Sequence, residues 1–240
     1  VIDGRPEDIR RACELSLKNL QTEVIDLYYL HRRDREVPIE DSIGTLADLV
    51  QEGKIRAIGI SEPSAETLRR AHAVAPIAAV QSEYSLASRQ IEIAVKKVCR
   101  EIGAALVSFS PFSRGILADT AINPSDLQES DIRPHMPRFQ EPHLSNNRNN
   151  LFGAFERIAQ ESGYSTAQLS LAWVLSRGDN LHTIPGTTRV DHLIEDYAAL
   201  DIGLPDEVLA ELDQLINQNT ISGGRYDAAM QALVDTEEFE

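Results

Sequence analysis

Val24-Ile25-Asp26-Leu27-Tyr28-Tyr29-Leu30-His31-Arg32 is an apolar run, rich in β-forming residues, that stops abruptly at an imidazole. A continuous run of this kind suits a strand buried on both faces of a parallel sheet, and in such sheets chemistry collects where strands end and loops begin. His31 stands at such an end. A strand-end histidine by itself is more often a hydrogen-bonded structural residue than a catalyst, so the neighbouring segments have to decide its meaning.

Upstream, residues 5–20 read as a helix: Pro6 suits the first turn, Glu7 and Asp8 favour the positive end of the helix dipole, and Ile9, Ala12, Cys13, Leu17 and Leu20 form one stripe. Downstream, Pro38, Glu40 and Asp41 open a second helix whose Ile43, Leu46, Ala47 and Val50 face inward and which stops at Gly53 before a strand at 55–60. The rhythm repeats. Ser64 caps a helix reaching Ala75, residues 77–81 form a strand, a helix over 88–102 stops at Gly103, and 104–109 form a fourth strand.

It then breaks for residues 110–150, a stretch rich in Pro, Asp, Asn and His. That is too long for a passive connection and reads as an excursion over an active site, with simple disorder as the competing description. Helices resume at 150–162 and 166–177, the second with Ser165 and Gln168 spaced as a capping box, and 181–184 make the fifth strand. A helix over 189–200 has Thr188 as its expected cap, Leu204-Pro205-Asp206 opens another ending near Asn217, and the acidic tail 218–240 has a weak helical pattern at 226–233.

Alternating strands and helices are the repeat of parallel α/β folds, either a doubly wound sheet or a (β/α)8 TIM barrel. The phosphate-binding fingerprint G-x-G-x-x-G is absent, which leaves the doubly wound alternative without its phosphate loop. The strand ends favour the barrel. In order they carry His31; Ser61 and Glu62; Gln81, Ser82, Glu83 and Tyr84; Ser110 to Gly115; and Ile184 to Arg189. On one rim these would supply an acid, amide-type hydrogen-bonding groups, an aromatic face and a small-residue anion cradle.

Composition narrows the function classes. In 240 residues, 42% apolar and 25% charged, the chain is ordinary globular stock able to bury a sizeable core as a single domain. A net charge of −15 disfavours nucleic acid or an anionic membrane as partner, because both would repel so acidic a surface. With only Cys13 and Cys99, a disulfide framework or C-x-x-C site is excluded by counting and no metal site is expected, so a reduced, cytoplasmic setting follows. No apolar run approaches the roughly 18 residues that span a bilayer. Val1 opens on a polar helix start, not a signal peptide, and the missing initiator Met suggests a chain that begins mid-protein.

Five ordered motifs, Asp26-Leu-Tyr-Tyr-Leu-His31, Gly53-Lys-Ile-Arg-Ala-Ile-Gly-Ile-Ser61, Val80-Gln-Ser-Glu-Tyr84, Ser110-Pro-Phe-Ser-Arg-Gly115 and Ile184-Pro-Gly-Thr187, resemble the aldo-keto reductases of bacterial type. The resemblance runs from about Arg5 to Leu215. It implies a (β/α)8 barrel, here with about five of eight strands and so N-terminally incomplete, that reduces aldehyde or ketone carbonyls with NADPH and lacks a Rossmann motif. His31 would hydrogen-bond the substrate carbonyl, Ser61 and Gln81 would hold the nicotinamide carboxamide, and Tyr84 would stack on the nicotinamide ring. Ser110, Pro111, Phe112, Ser113, Arg114, Gly115 and Leu117 would line the pyrophosphate, with Arg114 adding charge. Ile184, Gly186, Thr187, Thr188, Arg189, His192, Glu195 and Asp196 would form the adenosine end, with Thr187, Thr188 and Arg189 near the 2′-phosphate and Glu195 on the adenine.

Departures from the family pattern carry expectations too. The usual Asn after Ser61 is Glu62; a common basic residue gives way to Thr188 and His192, and an adenine-contacting Asn is Asp196. NADPH selectivity then rests on Arg189, and NADH use is also open. The family's Asp, Tyr and Lys lie upstream of this chain's first helix, so His31 is the one catalytic residue matched. Expected partners are a small-molecule carbonyl and a second copy of the chain. The alternative function is a catalytically inactive nucleotide-binding regulatory or scaffold module of the same fold.

Overall fold

The computed structural model describes residues 2–118 and 122–239. Five strands, β1 (Ile25–Leu30), β2 (Ile55–Ser61), β3 (Ile77–Glu83), β4 (Ala105–Phe109) and β5 (Leu181–Ile184), form one sheet in the order β1-β2-β3-β4-β5. Every neighbouring pair is parallel. The helices that connect them are α1 (Pro6–Leu20) ahead of β1, α2 (Ile39–Gln51), α3 (Ala65–Val74), α4 (Val95–Ile102), α5 (His143–Asn147), α6 (Gly153–Ser162) and α7 (Thr166–Leu175). After β5 come α8 (Val190–Ala198), α9 (Asp206–Leu215) and the short α10 (Ala228–Gln231). This is the βα repeat of a (β/α)8 barrel, with five strands of it present.

The helix boundaries follow local chemistry. Ser64 accepts a hydrogen bond from the Thr67 N–H and starts α3. Ser165 and Gln168 close a complete capping box on α7, satisfying two amide donors that the helix cannot. Gly103 ends α4 at φ +71°, a left-handed conformation that costs glycine little. The core lies between sheet and helices, where Ile43, Leu46, Leu68, Ile91, Val98 and Trp173 are fully buried.

Several expectations need correction. Ala12, Leu20 and Val50 are exposed although they continue apolar stripes, because the buried faces are narrower than the stripes: Ile9, Cys13 and Leu17 on the first helix and Ile43, Leu46 and Leu49 on the second. The helix expected over 88–102 is split: a 3₁₀ turn at Gln90–Glu92 precedes α4. Thr188 does not cap α8, since the N-cap is Arg189 in extended conformation and Thr187 Oγ1 accepts its N–H at 3.1 Å.

The excursion is built, with 3₁₀ turns at Pro124–Asp126, Arg133–His135 and Pro137–Phe139 ahead of α5; its residues 119–121 lie outside the described residues. Buried Met136, Phe139, Leu144 and Leu151 give it an apolar underside. The tail is equally anchored: Asp235 accepts hydrogen bonds from Ser64 and pairs with Arg33 at 3.0 Å, and Glu237 accepts the Ala65 N–H. The N-terminus of α3 is therefore capped from the far end of the chain.

Candidate functional site

Strand register decides which residues share the rim. Leu30 lies beside Ile60, Ser61 beside Gln81, Glu83 beside Phe109, and Phe109 beside Ile184. All the strand-end motifs therefore emerge at the C-terminal edge of one sheet, where parallel barrels keep their chemistry.

The loop after β4 is the most unusual backbone in the chain. Ser110, Ser113 and Arg114 adopt φ of 51°, 46° and 59°, and Gly115 follows at 97°. Non-glycine residues in this region each cost on the order of 1 kcal/mol, so a cluster must be held in place; within the loop, the Ser113 N–H donates to the Ser110 carbonyl and the Gly115 N–H to the Phe112 carbonyl. Buried partners do the holding. Ser113 Oγ accepts from Arg138 at 2.9 Å, and Arg114 donates to Glu83 at 3.1 Å while its guanidinium lies 4.9 Å from the Tyr226 ring centre.

Between this loop and the start of α8 lies a cavity of about 700 Å³. The structure brings to it Ser110, Pro111, Phe112, Arg114 and Gly115 from one side, and Ile184, Gly186, Thr187, His192, Glu195 and Asp196 from the other. One oxygen of the buried Asp196 has no hydrogen-bond partner, and burial pushes its carboxyl pKa up. Further contributors lie outside the family motifs, among them Phe109 at the end of β4, and Asp131 and Arg133 of the excursion. Ser113 and Leu117 are instead buried beneath the loop, and Thr188 and Arg189 sit exposed outside it, with Arg189 paired to Asp191.

The residues expected around a nicotinamide ring are dispersed. Tyr84 is fully buried; its hydroxyl donates to Glu92 at 2.5 Å and its ring packs on Trp173 with centres 5.3 Å apart. It has no free face to stack on a ligand, which corrects the sequence reading. The aromatic residues that line the cavity are Phe112 of the motif and Phe109, one position before it. Ser61 Oγ accepts from Arg32 at 2.9 Å, and Gln81 faces the Tyr29 hydroxyl, which burial makes harder to ionise. His31 lines a separate recess of about 230 Å³ beside Asp8, Tyr28 and Arg32. Partial desolvation, then the Arg32 charge, lowers its pKa and keeps it a neutral donor near pH 7.

Below the rim runs a buried charge network that sequence reading overlooked because its members are far apart in the chain. Glu62, 1% exposed and at φ 53°, accepts from the Glu83 N–H at 2.7 Å, from Arg225 at 3.1 and 2.8 Å, and from Thr236 at 2.9 Å. Arg138 donates to the Gly223 and Ala87 carbonyls and to the Ser88 and Ser113 hydroxyls; with no carboxylate in direct contact, burial lowers its pKa to about 10. Excursion, tail and phosphate-type loop are thereby stapled together.

Comparison with known proteins agrees with this architecture. The aldo/keto reductase family model matches residues 2–217. A probable aldo-keto reductase 1 of Glycine max is 43% identical over 225 residues, which is 94% of this chain; the chain spans 64% of that relative's length. The glycerol dehydrogenase of Gluconobacter oxydans superposes with a TM-score of 0.81 at 27% identity, covering 99% of this chain and 68% of the other. An aldo/keto reductase of Klebsiella pneumoniae, solved with NADP and acetate, gives 0.69 at 29% identity, covering 91% and 68%. With its strand order, rim motifs and matched span, the chain belongs to the aldo/keto reductase family.

Proposed function

We propose that the protein reduces aldehyde or ketone carbonyls with a nicotinamide dinucleotide, and that this chain supplies the dinucleotide pocket and a carbonyl-binding histidine. The observation that carries the reading is the cavity between the left-handed loop at 110–115 and the start of α8. Its fit to a dinucleotide rests on three features: a glycine-containing loop at one end, the Phe109 ring, and polar residues of the α8 start, His192, Glu195 and Asp196, at the other. The bound dinucleotide supplies the hydride chemistry. This chain's part is to seat the phosphates against the 110–115 loop, and to donate a hydrogen bond from neutral His31 to the carbonyl oxygen.

A second reading, nucleotide binding without turnover, is favoured by one observation: Ser61 and Tyr84 are engaged elsewhere and His31 opens on a different recess. A dinucleotide titration followed by a carbonyl panel on the complete protein separates the two, since both require binding and only the first predicts turnover; the 240-residue chain by itself is expected to be inactive.

On cofactor choice, the proposal is NADPH with NADH accepted. Arg189 is exposed outside the cavity lining, two residues along the chain from Thr187, which lines it, and its guanidinium is paired with Asp191, a carboxylate it would exchange for a 2′-phosphate. Replacing Arg189 by Gln should weaken NADPH about ten- to a hundredfold, the worth of a charge-assisted contact, and leave NADH unchanged. Equal losses for both would make Arg189 structural.

A further inference from the structure

The opposite end of the same strands carries a basic cavity. Its volume is about 360 Å³, and it lies where β4 and β5 begin, between α4 and the turn after α7. Leu106 pairs with Leu181 there, whereas Phe109 pairs with Ile184 at the rim, so roughly 10 Å of strand separate it from the dinucleotide cavity. Its walls combine Lys96, Arg100 and Arg177 with one carboxylate, the exposed Asp179, and with the buried Cys99, Leu106 and Leu181. In a chain of net charge −15, this lining reverses the sign of the molecule.

The three cations are short of counter-charge. Lys96 and Arg100 stand one turn apart on α4, and neither has an ion pair among the described residues. The carboxylates on the same stretch of chain are taken: Glu92 by Arg89 at 2.9 Å and by the Tyr84 hydroxyl, Glu101 by Arg69 at 3.0 Å. The Lys96 ammonium lies 5.8 Å from the Tyr84 ring centre, a contact that attracts it but uses up none of its hydrogen bonds in the way an oxygen would. Burial, with Arg177, Arg100 and Arg89 set against Glu92, holds its pKa below the usual lysine value. Arg177 reaches Asp213 through Nη2 alone, at 3.0 Å to each oxygen, and shares that carboxylate with Arg89 and the Trp173 indole. Its Nη1 has no hydrogen bond among the described residues.

We propose that this cavity binds a small phosphate ester, its phosphoryl oxygens held by Lys96, Arg100 and Nη1 of Arg177, and its organic part set against Cys99, Leu106 and Leu181. Donors converging from two elements suit a tetrahedral oxyanion with three oxygens to share among them, where a carboxylate offers two. At about 360 Å³ the cavity falls within the range of about 300 to 1,000 Å³ in which small organic molecules bind, and its apolar wall favours an ester over the inorganic ion. The bound anion would offset the repulsion among the three cations, so it should raise thermal stability. The site stands apart from the dinucleotide cavity and does not depend on that reading.

The test is calorimetric titration of the 240-residue chain with phenyl phosphate and with inorganic phosphate at fixed ionic strength, with a thermal melt to confirm that each variant folds. The parent should bind phenyl phosphate saturably and more tightly than inorganic phosphate. Lys96→Gln and Arg100→Gln should each weaken the ester roughly tenfold. Lys97→Gln should leave it unchanged, because Lys97 is exposed and faces Glu101. Limited acetylation read by mass spectrometry needs no variant: phenyl phosphate should protect Lys96 and spare Lys97 any change. An absence of saturable binding by the parent, or Lys96→Gln binding like the parent, overturns the proposal. Equal weakening by Lys97→Gln, or protection of both lysines, overturns it in favour of diffuse screening, and inorganic phosphate binding as tightly as the ester overturns the ester assignment. Loss of the ester in Gly115→Val, at the far end of the strands, places it in the dinucleotide cavity and overturns the proposal while leaving that reading intact.

Discussion

Arg225→Leu should be among the most damaging single substitutions in the chain, although position 225 lies in an acidic tail far from any strand. Arg225 is 2% exposed and gives Glu62 two hydrogen bonds, at 3.1 and 2.8 Å. Removing it leaves a carboxylate inside the fold with only the Glu83 N–H and the Thr236 hydroxyl. Breaking one side of a buried pair costs about 3 to 5 kcal/mol, more than the pair is worth against an apolar replacement, because the orphaned charge cannot regain its water. Glu62 also holds a left-handed backbone at the rim, so the released tail should loosen it. With a urea dependence of about 2 kcal/mol/M, the midpoint should fall by about 2 M. Adding Glu62→Gln to Arg225→Leu should restore part of the loss by discharging the stranded carboxylate. Urea titration followed by Trp173 fluorescence reads all three proteins. A drop below about 1 kcal/mol for Arg225→Leu, or a double variant that simply sums the two single losses, would refute the reasoning.

Cys13 and Cys99 are both buried, and desolvation pushes the Cys99 thiol up to about 12, so its reactive thiolate is scarce at pH 8. Ellman's reagent should find no fast thiol in the native chain and two after denaturation; a fast native reaction would show that α1 or α4 opens readily. α8 presents Val190, Leu193, Ile194 and Tyr197 to solvent and the turn after it presents Leu200, each more than half exposed, and β1 and β5 pair on one side only among the described residues. The 240-residue chain alone should therefore self-associate at micromolar concentration, and Leu193→Glu with Ile194→Lys should reduce it. Sedimentation showing a clean monomer for the parent chain would contradict this.

The strands were legible because apolar residues dominate them, as at 27–30 and 57–60 beyond the exposed Asp26–Arg56 pair, and glycines such as Gly103 mark where helices must turn. The capping box at Ser165 was legible because its two partners are local. The order of the excursion was not, because it depends on Arg138 reaching Ala87, Ser88, Ser113 and Gly223, contacts that no local pattern encodes. The aromatic face was assigned to Tyr84, whereas Phe109 is the strand-end ring that lines the cavity, for a related reason. Both stand at strand ends, but Tyr84 lies one residue past β3 and turns outward onto Trp173, and only the path of the chain beyond the strand decides which ring faces the cavity. An apolar stripe such as that on α8 says that a face can be covered, not what covers it.

The account stands on the cavity between the 110–115 loop and α8 being a dinucleotide site. Its most direct test is calorimetric titration of the chain and of Gly115→Val with NADPH. Gly115 sits at φ 97°, and a side chain there would begin 2.5 Å from the Ile122 side chain, so valine both strains the loop and invades the cradle. The account predicts saturable binding of one NADPH by the parent chain and at least tenfold weaker binding by the variant. An absence of saturable binding by the parent, or identical affinities for the two, would contradict it.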